Sequence, residues 1–497
     1  MAEWVIVPVV WPLLTAVVLL GIGGPPVWCR AVGLVSVVGL LGVELSLARA
    51  VAGGAVLVSH LGAWPAPFGI ALVIDRLSVV MLLLTSLTAL AVLVYEASEP
   101  ERRLDALPFA PLFQFLLTGL NGAFITGDLF NLFVFFEVLL IASYGLVTLG
   151  ARPRQLRAGV QFVVLNLLSS ALFLFGIGTL YGLTGTLNLA DLSGKVAALG
   201  PTDAGLLHVA VTALLVVFAA KAALIPLAFW LPDAYPAPPA AISAMFGGIA
   251  TKVGVYALLR VWSTAFAAVR GPTAEVLIVL GIVSMLVGVL GAVVQYELRR
   301  LLSFHIVSQI GYLVFGVGLF SVAGVAAALF YLVHYTIVKC SLFLVSGLTE
   351  RLGGSADLRR LGGIARSSPV LAALFFVAGI SLAGLPPTSG FFSKLLLVAA
   401  GLEAGRWVGV TVAFVAGLLT LYSMMKIWTQ AFWGEPILAG RQAVGAGGLV
   451  AAGLLVSFSI TLAVAADPLW RFSRATAAQV LDTPGYVAAV LASGARP

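Results

Sequence analysis

Residues 211–256 read VTALLVVFAAKAALIPLAFWLPDAYPAPPAAISAMFGGIATKVGVY. Two long apolar runs carry one lysine each near their middles, Lys221 and Lys252, and a proline-rich turn with a single acid, Asp233, joins them. A lysine at the centre of a membrane-length apolar run costs about 2.5–3.5 kcal/mol on insertion scales. Such a residue must be compensated by a partner or used in a function.

Composition supports a lipid setting for the rest of the chain. Hydrophobic residues make up 61% of 497 positions and charged residues 9%, with a mean hydropathy of +1.12. Water-soluble domains hold about 45–50% apolar and about 25% charged residues. A spanning helix needs roughly 20 apolar residues, and about fourteen such segments are found. They are 4–23, 29–52, 69–97, 108–126, 129–149, 158–184, 204–231, 239–267, 273–294, 301–320, 322–349, 369–401, 405–433 and 444–466. The expected fold is an all-α polytopic membrane bundle, in which the first segment follows Glu3 rather than a basic leader and is retained. The polar tail after Ala466 is expected at the interface, and the two-signed loop from Glu96 at the surface. The net charge of +7 is scattered among loops without interleaved aromatic residues, so it speaks for membrane topology and not for nucleic-acid binding. Cys29 and Cys340 are far apart in sequence, and no metal-ligand or cofactor motif is present.

The positive-inside rule orients the segments. Loops after odd-numbered segments hold Arg30, Arg102, Arg103, Arg152, Arg154, Arg157, Arg299, Arg300, Arg351, Arg359, Arg360, Arg366 and Arg441. Loops after even-numbered ones hold Arg49, Lys195, Arg260, Arg270 and Arg406, with Arg471, Arg474 and Arg496 in the tail. The odd loops are expected on the cytoplasmic side of a prokaryotic plasma membrane, with both termini outside.

Of 27 basic residues only six are lysines, and five of these, Lys221, Lys252, Lys339, Lys394 and Lys426, fall inside apolar segments. Arginine keeps its proton at any accessible pH, whereas a desolvated lysine can release it. Intramembrane lysines therefore suit proton transfer; the competing reading is snorkelling from helix ends, strongest for Lys426. Among the acids, Glu137 lies deep in a span, and Glu137 with Lys221 is the expected charge pair. Glu44 is expected to face headgroups or a partner subunit, and Asp75 and Arg76 to be interfacial. His334 precedes Lys339 by five residues, about one and a half helical turns, and either belongs to the same titratable ladder or packs as an ordinary histidine. His305 is a weaker candidate, and His60 and His208 are expected at loops or helix ends.

Two runs are interrupted: Pro226 follows Lys221, and Pro386, Pro387 and Gly390 precede Lys394. At membrane depth, irregular backbone is tolerated where a cavity or neighbouring protein satisfies it. Two broken segments five helices apart point to inverted five-helix repeats. The expected division is residues 1–107 for the first three helices, 108–267 and 273–433 for the repeats, and 444–497 for the last helix and tail.

The stretches GDLFNLFVFFEVLLIASYGLV, FAAKAALIPLAFWLPDAYPAPPAAISAMFGGIATKVGVYALLR and LAGLPPTSGFFSKLLL together resemble the antiporter-like proteins shared by respiratory complex I and multisubunit Mrp cation/proton antiporters. The resemblance spans about residues 70–435, and length and wording are nearest the D-subunit branch of the Mrp group. It implies fourteen helices with a polar axis at mid-membrane, in which Glu137 and Lys221 are the paired residues, Lys252 the connecting lysine and Lys394 the terminal one. His334 and Lys339 match less tightly. It also implies partner subunits within the bilayer, protons and a monovalent cation, with Na+ expected, as the ions moved, and no cofactor. The alternative it leaves is a proton-pumping subunit of a quinone-reducing or hydrogenase complex.

Overall fold

Long apolar runs with few β-breaking interruptions can satisfy their backbone in lipid only by forming helices, and helices dominate the structure. The structure, a computed structural model, describes residues 2–22, 26–98, 108–435 and 444–493. Arg102, Arg103, Arg441 and Arg496, with most of the loop that begins at Glu96, lie outside the described residues. The first helices are α1 (Val7–Ile22), α2 (Pro26–Val51), α3 (Arg76–Ser98), α4 (Phe109–Ile125), α5 (Leu129–Thr148), α6 (Pro153–Thr184), α7 (Leu189–Ala198) and α8 (Ala204–Ala222). Short α9 (Leu231–Ala234) and α10 (Ala240–Met245) lead through a π-turn at Phe246–Ala250 into α11 (Lys252–Ser263). Next come α12 (Arg270–Val294), α13 (Leu298–Gly318), α14 (Val322–Gly353), α15 (Ile364–Ser367), α16 (Pro369–Ala383), α17 (Ser389–Glu403) and α18 (Trp407–Ile427). α19 (Ala446–Val464), α20 (Ala466–Leu481) and α21 (Thr483–Ser493) follow.

Among the described residues, 12 helices are long and apolar enough to cross a membrane, and α4 and α16 are apolar but shorter. The expected all-α fold is broken by one antiparallel hairpin, β1 (Leu57–His60) on β2 (Ala71–Ile74). The α10–α11 helix, α13 and α14 have 94% of their apolar windows buried, against 33% for α1 and α2. The former therefore make the core, and α1 and α2 turn a face outward. Exposed Leu14, Val17, Val35 and Val38 fit a lipid-facing surface.

Two expectations about acids are corrected. Glu44 is fully buried, because Val37, Leu40, Glu44, Leu47 and Val51 form one three-four-spaced stripe on the α2 face packed against α3. Asp75 is also buried: its carboxylate takes both Arg260 guanidinium nitrogens at 2.7 Å, and Ser78 and Tyr256 complete the cluster. Arg260, expected in a loop, thus serves inside the fold. The tail forms α20 and α21, which close over this cluster. Thr483 donates to the Ser263 carbonyl, and the Tyr486 ring lies 5.5 Å from the Arg260 guanidinium.

One backbone arrangement occurs twice. Asp128, before α5, bridges Asn188, before α7; Glu297, before α13, bridges Asp357, after α14. Sixty residues separate the partners in both cases (128 to 188, 297 to 357). The hydrogen bonds also repeat, Leu129 N to Leu187 O and Leu189 N to Gly127 O in the first, Leu298 N to Ala356 O and Leu358 N to Tyr296 O in the second.

Candidate functional site

Helix α8 ends one residue after Lys221, because Ala223 turns into the left-handed region (φ 59°). The backbone groups freed by the break find partners: the Trp230 indole donates to the Ala220 carbonyl and the Ile225 N–H to Ser284 Oγ. Pro226 lies in the irregular segment that follows. Gly254 lets α11 touch this break, since a Cβ there would sit 2.4 Å from the Ala222 nitrogen.

Lys221 Nζ donates to Asn166 Oδ1 at 3.0 Å, and Ser170 Oγ makes a short hydrogen bond to Glu137 Oε1. Glu137 lies within electrostatic range of the ammonium, but no direct ion pair joins them; the expected pair is mediated by two polar residues of α6. A cavity of about 30 Å³, lined by Ser143, Asn166, Lys221, Tyr235 and Val253 among others, leads from this point toward α11. A water needs about 10–15 Å³ measured this way, so one or two fit.

Lys252 is fully buried. Its ammonium donates to the Gly247 carbonyl at 2.6 Å, inside the π-turn, and lies 4.0 Å from the centre of the Tyr335 ring. π-turns recur at functional sites. Gly247 and Gly248 let this turn pack on α14, where an added Cβ would meet Phe343 at 2.5 Å and Cys340 at 3.2 Å. Lys339, also fully buried, stands in electrostatic range of Lys252. It lies 5.7 Å from the Phe343 ring centre, and its ammonium has no hydrogen-bond partner among the described residues.

At the second break, α16 stops at Gly384 (φ 89°). Lys394 Nζ reaches back from α17 to the Ala383 carbonyl at 2.8 Å and lies 5.1 Å from the Tyr312 ring centre. Pro386 and Pro387 occupy the irregular turn. Gly390 is required by contact: a Cβ would fall 1.7 Å from the Ser381 carbonyl oxygen. His334 Nδ1 is 2.8 Å from Ser389 Oγ, and a 210 Å³ cavity lined by Tyr312, Gly384, Lys394 and Gly417 adjoins the break.

The structure thus places Glu137 with Lys221, Lys252 with Lys339, and His334 with Lys394, in three clusters, in which Lys252, Lys339 and His334 are buried and Glu137, Lys221 and Lys394 partly so. His305 emerges as more central than expected; buried and 3.0 Å from Ser423 Oγ, it feels Lys339, Lys394 and Lys426 electrostatically. Lys426 instead caps α12, donating to the Val293 and Gln295 carbonyls at 2.6 Å each. Asn166 and Ser170 were missed; their signal was two polar residues four apart, hence on one face, in the apolar run of α6.

A family profile described as NADH:quinone oxidoreductase/Mrp antiporter, transmembrane, matches residues 126–420. The chain is 44% identical to the D subunit of the Na(+)/H(+) antiporter of Alkalihalophilus pseudofirmus, over 99% of this chain and 100% of the relative. It is 37% identical to the corresponding Na(+)/H(+) antiporter protein of Bacillus subtilis, over 99% and 100%. In three dimensions it resembles a chain of the Mrp complex from Dietzia sp. DQ12-45-1b, with TM-score 0.92, 34% identity and coverage of 99% and 100%. A chain of an archaeal membrane-bound sulfane sulfur reductase follows with TM-score 0.88, 25% identity and coverage of 98% and 99%. With matches that run from end to end, the chain belongs to the NADH:quinone oxidoreductase/Mrp antiporter transmembrane family.

Proposed function

We propose that this chain is the proton-translocating subunit of a multisubunit Na+/H+ antiporter, embedded with partner subunits in a prokaryotic plasma membrane. The observation that carries the reading is the line of titratable groups inside the helix bundle, with Lys252, Lys339 and His334 fully buried and Glu137, Lys221 and Lys394 partly buried, set beside two helix breaks. Lysine can bind and release a proton where arginine cannot. The breaks let a small backbone shift change which partner each ammonium meets.

In this reading the charge of Lys221 follows its distance from Glu137. Close approach favours the ammonium; separation lets the desolvated ammonium pass its proton toward Lys252, then to Lys339, His334 and Lys394, leaving the neutral amine. The repeated bridges at 128/188 and 297/357 support two repeats, 108–267 and 273–433, between a leading unit 1–107 and a closing unit 444–497. An odd number of spanning helices between the bridges would put them on opposite membrane faces, as inverted repeats require. Burial of Arg260 removes one cation from the outer-loop count, which supports odd loops inside and both termini outside.

The test is exchange in inverted membrane vesicles holding the whole complex. Adding Na+ should collapse a preformed pH gradient in vesicles without quinone or its reductants. Dependence of that response on quinone reduction would favour the redox-complex alternative instead. A relative from Rhizobium meliloti is named as the D subunit of a probable K(+)/H(+) antiporter, so K+ belongs in the same assay.

A further inference from the structure

The acid and the lysine that start the proposed route do not touch, and what stands between them is specific. Asn166 and Ser170 lie one turn apart on α6, on the face turned to both groups. The Asn166 amide is fixed at its other end, its nitrogen donating to the Phe162 carbonyl at 2.8 Å, so its oxygen is left for Lys221. An amide oxygen accepts a hydrogen bond but takes up no proton at accessible pH. Asn166 can therefore hold an ammonium without discharging it. Ser170 differs, since a hydroxyl can donate to a carboxylate or accept from a carboxylic acid by rotating, and so suits Glu137 in either state.

We infer that Asn166 and Ser170 are positioning residues forming a latch: they hold Lys221 and Glu137 apart in the state seen here, from which the proton is passed on, and recharging the lysine requires it to exchange Asn166 for Glu137. This rests on the assignment of Glu137 and Lys221 to transport. Four backbone steps along α6 rise about 6 Å, a distance the long lysine side chain covers by changing rotamers.

The surroundings leave few other groups to answer for pH effects. On α5 the additional titratable group is Tyr144, and the segment after α9 adds Tyr235, which lines the cavity. On α11 they are Lys252, held by Gly247, and Tyr256 and Arg260, both engaged in the Asp75 cluster; α8 itself adds His208 in its first turns. Helix α4 presents no titratable side chain. Asp233 on α9 pairs with Arg300 at 3.1 Å, and Asp191 with Lys195 on α7 at 3.2 Å; Arg154, Arg157 and Tyr181 lie toward the ends of α6.

The experiment compares Asn166→Leu, Ser170→Ala, Ser170→Thr and Lys221→Ala in the full complex, with assembly checked by native electrophoresis and Na+-dependent exchange followed across a pH series. Removing either latch bond frees the lysine to settle on Glu137, which favours the ammonium. The exchange profile of Asn166→Leu and of Ser170→Ala should then move to higher pH by about one unit, the low end of what a nearby opposite charge produces. Ser170→Thr, which keeps the hydroxyl, should restore the wild-type position. Should Asn166→Leu fail to assemble, the two serine variants decide. An unshifted or downward-shifted profile, with Lys221→Ala inactive, overturns the latch and leaves the proton route standing. Exchange retained in assembled Lys221→Ala overturns both.

Discussion

Glu137 and Lys252 set the terms at the scale of single residues. Glu137→Gln keeps the shape and the acceptor for Ser170 but removes the charge that steadies the Lys221 ammonium. Exchange in that variant should be lost, or its optimum should move to lower pH, while Glu137→Asp keeps part of the activity. A nearly silent Gln beside a damaging Asp, in vesicle assays over a pH series, would assign Glu137 a structural role. Lys252 is surrounded by a carbonyl and a ring that could hold any cation. Lys252→Arg should nevertheless be nearly as damaging as Lys252→Ala, because arginine does not release its proton. Near-normal exchange in the arginine variant would reduce Lys252 to a fixed charge. The lysines were legible in the sequence because a charge in an apolar run stands out. Their hydrogen-bond partners were not, because Asn166, Ser170, Ser389 and the Gly247 carbonyl are ordinary residues until the helices bring them together.

At the scale of elements, glycine contacts decide how closely the broken helices approach. Gly390→Ala would drive a methyl group into the Ser381 carbonyl, so α16 and α17 must separate at the second break. Loss of exchange or of assembly should follow, seen together in vesicle assays and native gels. Gly178→Ala on α6, with nothing within 4 Å of the added carbon, serves as the control and should be neutral to slightly stabilising. The Asp75–Arg260 pair is the second element-level test. Asp75→Asn leaves a buried guanidinium short of its counter-charge, a change that costs about 3–5 kcal/mol, so thermal unfolding of the purified complex should begin at a lower temperature. An unchanged midpoint would show that α20, α21 and β2 do not depend on the pair. Pro226 marked the first break in the sequence, and Pro386, Pro387 and Gly390 the second. The burial of Asp75 and Glu44 escaped it, because a residue near a helix end or within a two-sided apolar run does not reveal which neighbour covers it.

Across the whole molecule, the length of the apolar runs was enough to find the long helices among the described residues, although α3 was expected to begin too early, α8 to continue to 231, and α16 and α17 to form one run. The cause is the hairpin at 57–60 and 71–74, whose second strand is an apolar stretch that reads equally well as helix. The division into repeats was suggested by the two breaks and gains support from the paired backbone bridges, which no residue pattern announced. What unites these levels is one claim, that protons cross through Lys221. It is tested most directly by Lys221→Ala in inverted vesicles, with the complex shown to be assembled. The account predicts that adding Na+ no longer dissipates a preformed pH gradient at any pH in the series, since no other side chain of that break can titrate in its place. Exchange at the wild-type rate in the assembled variant would contradict it.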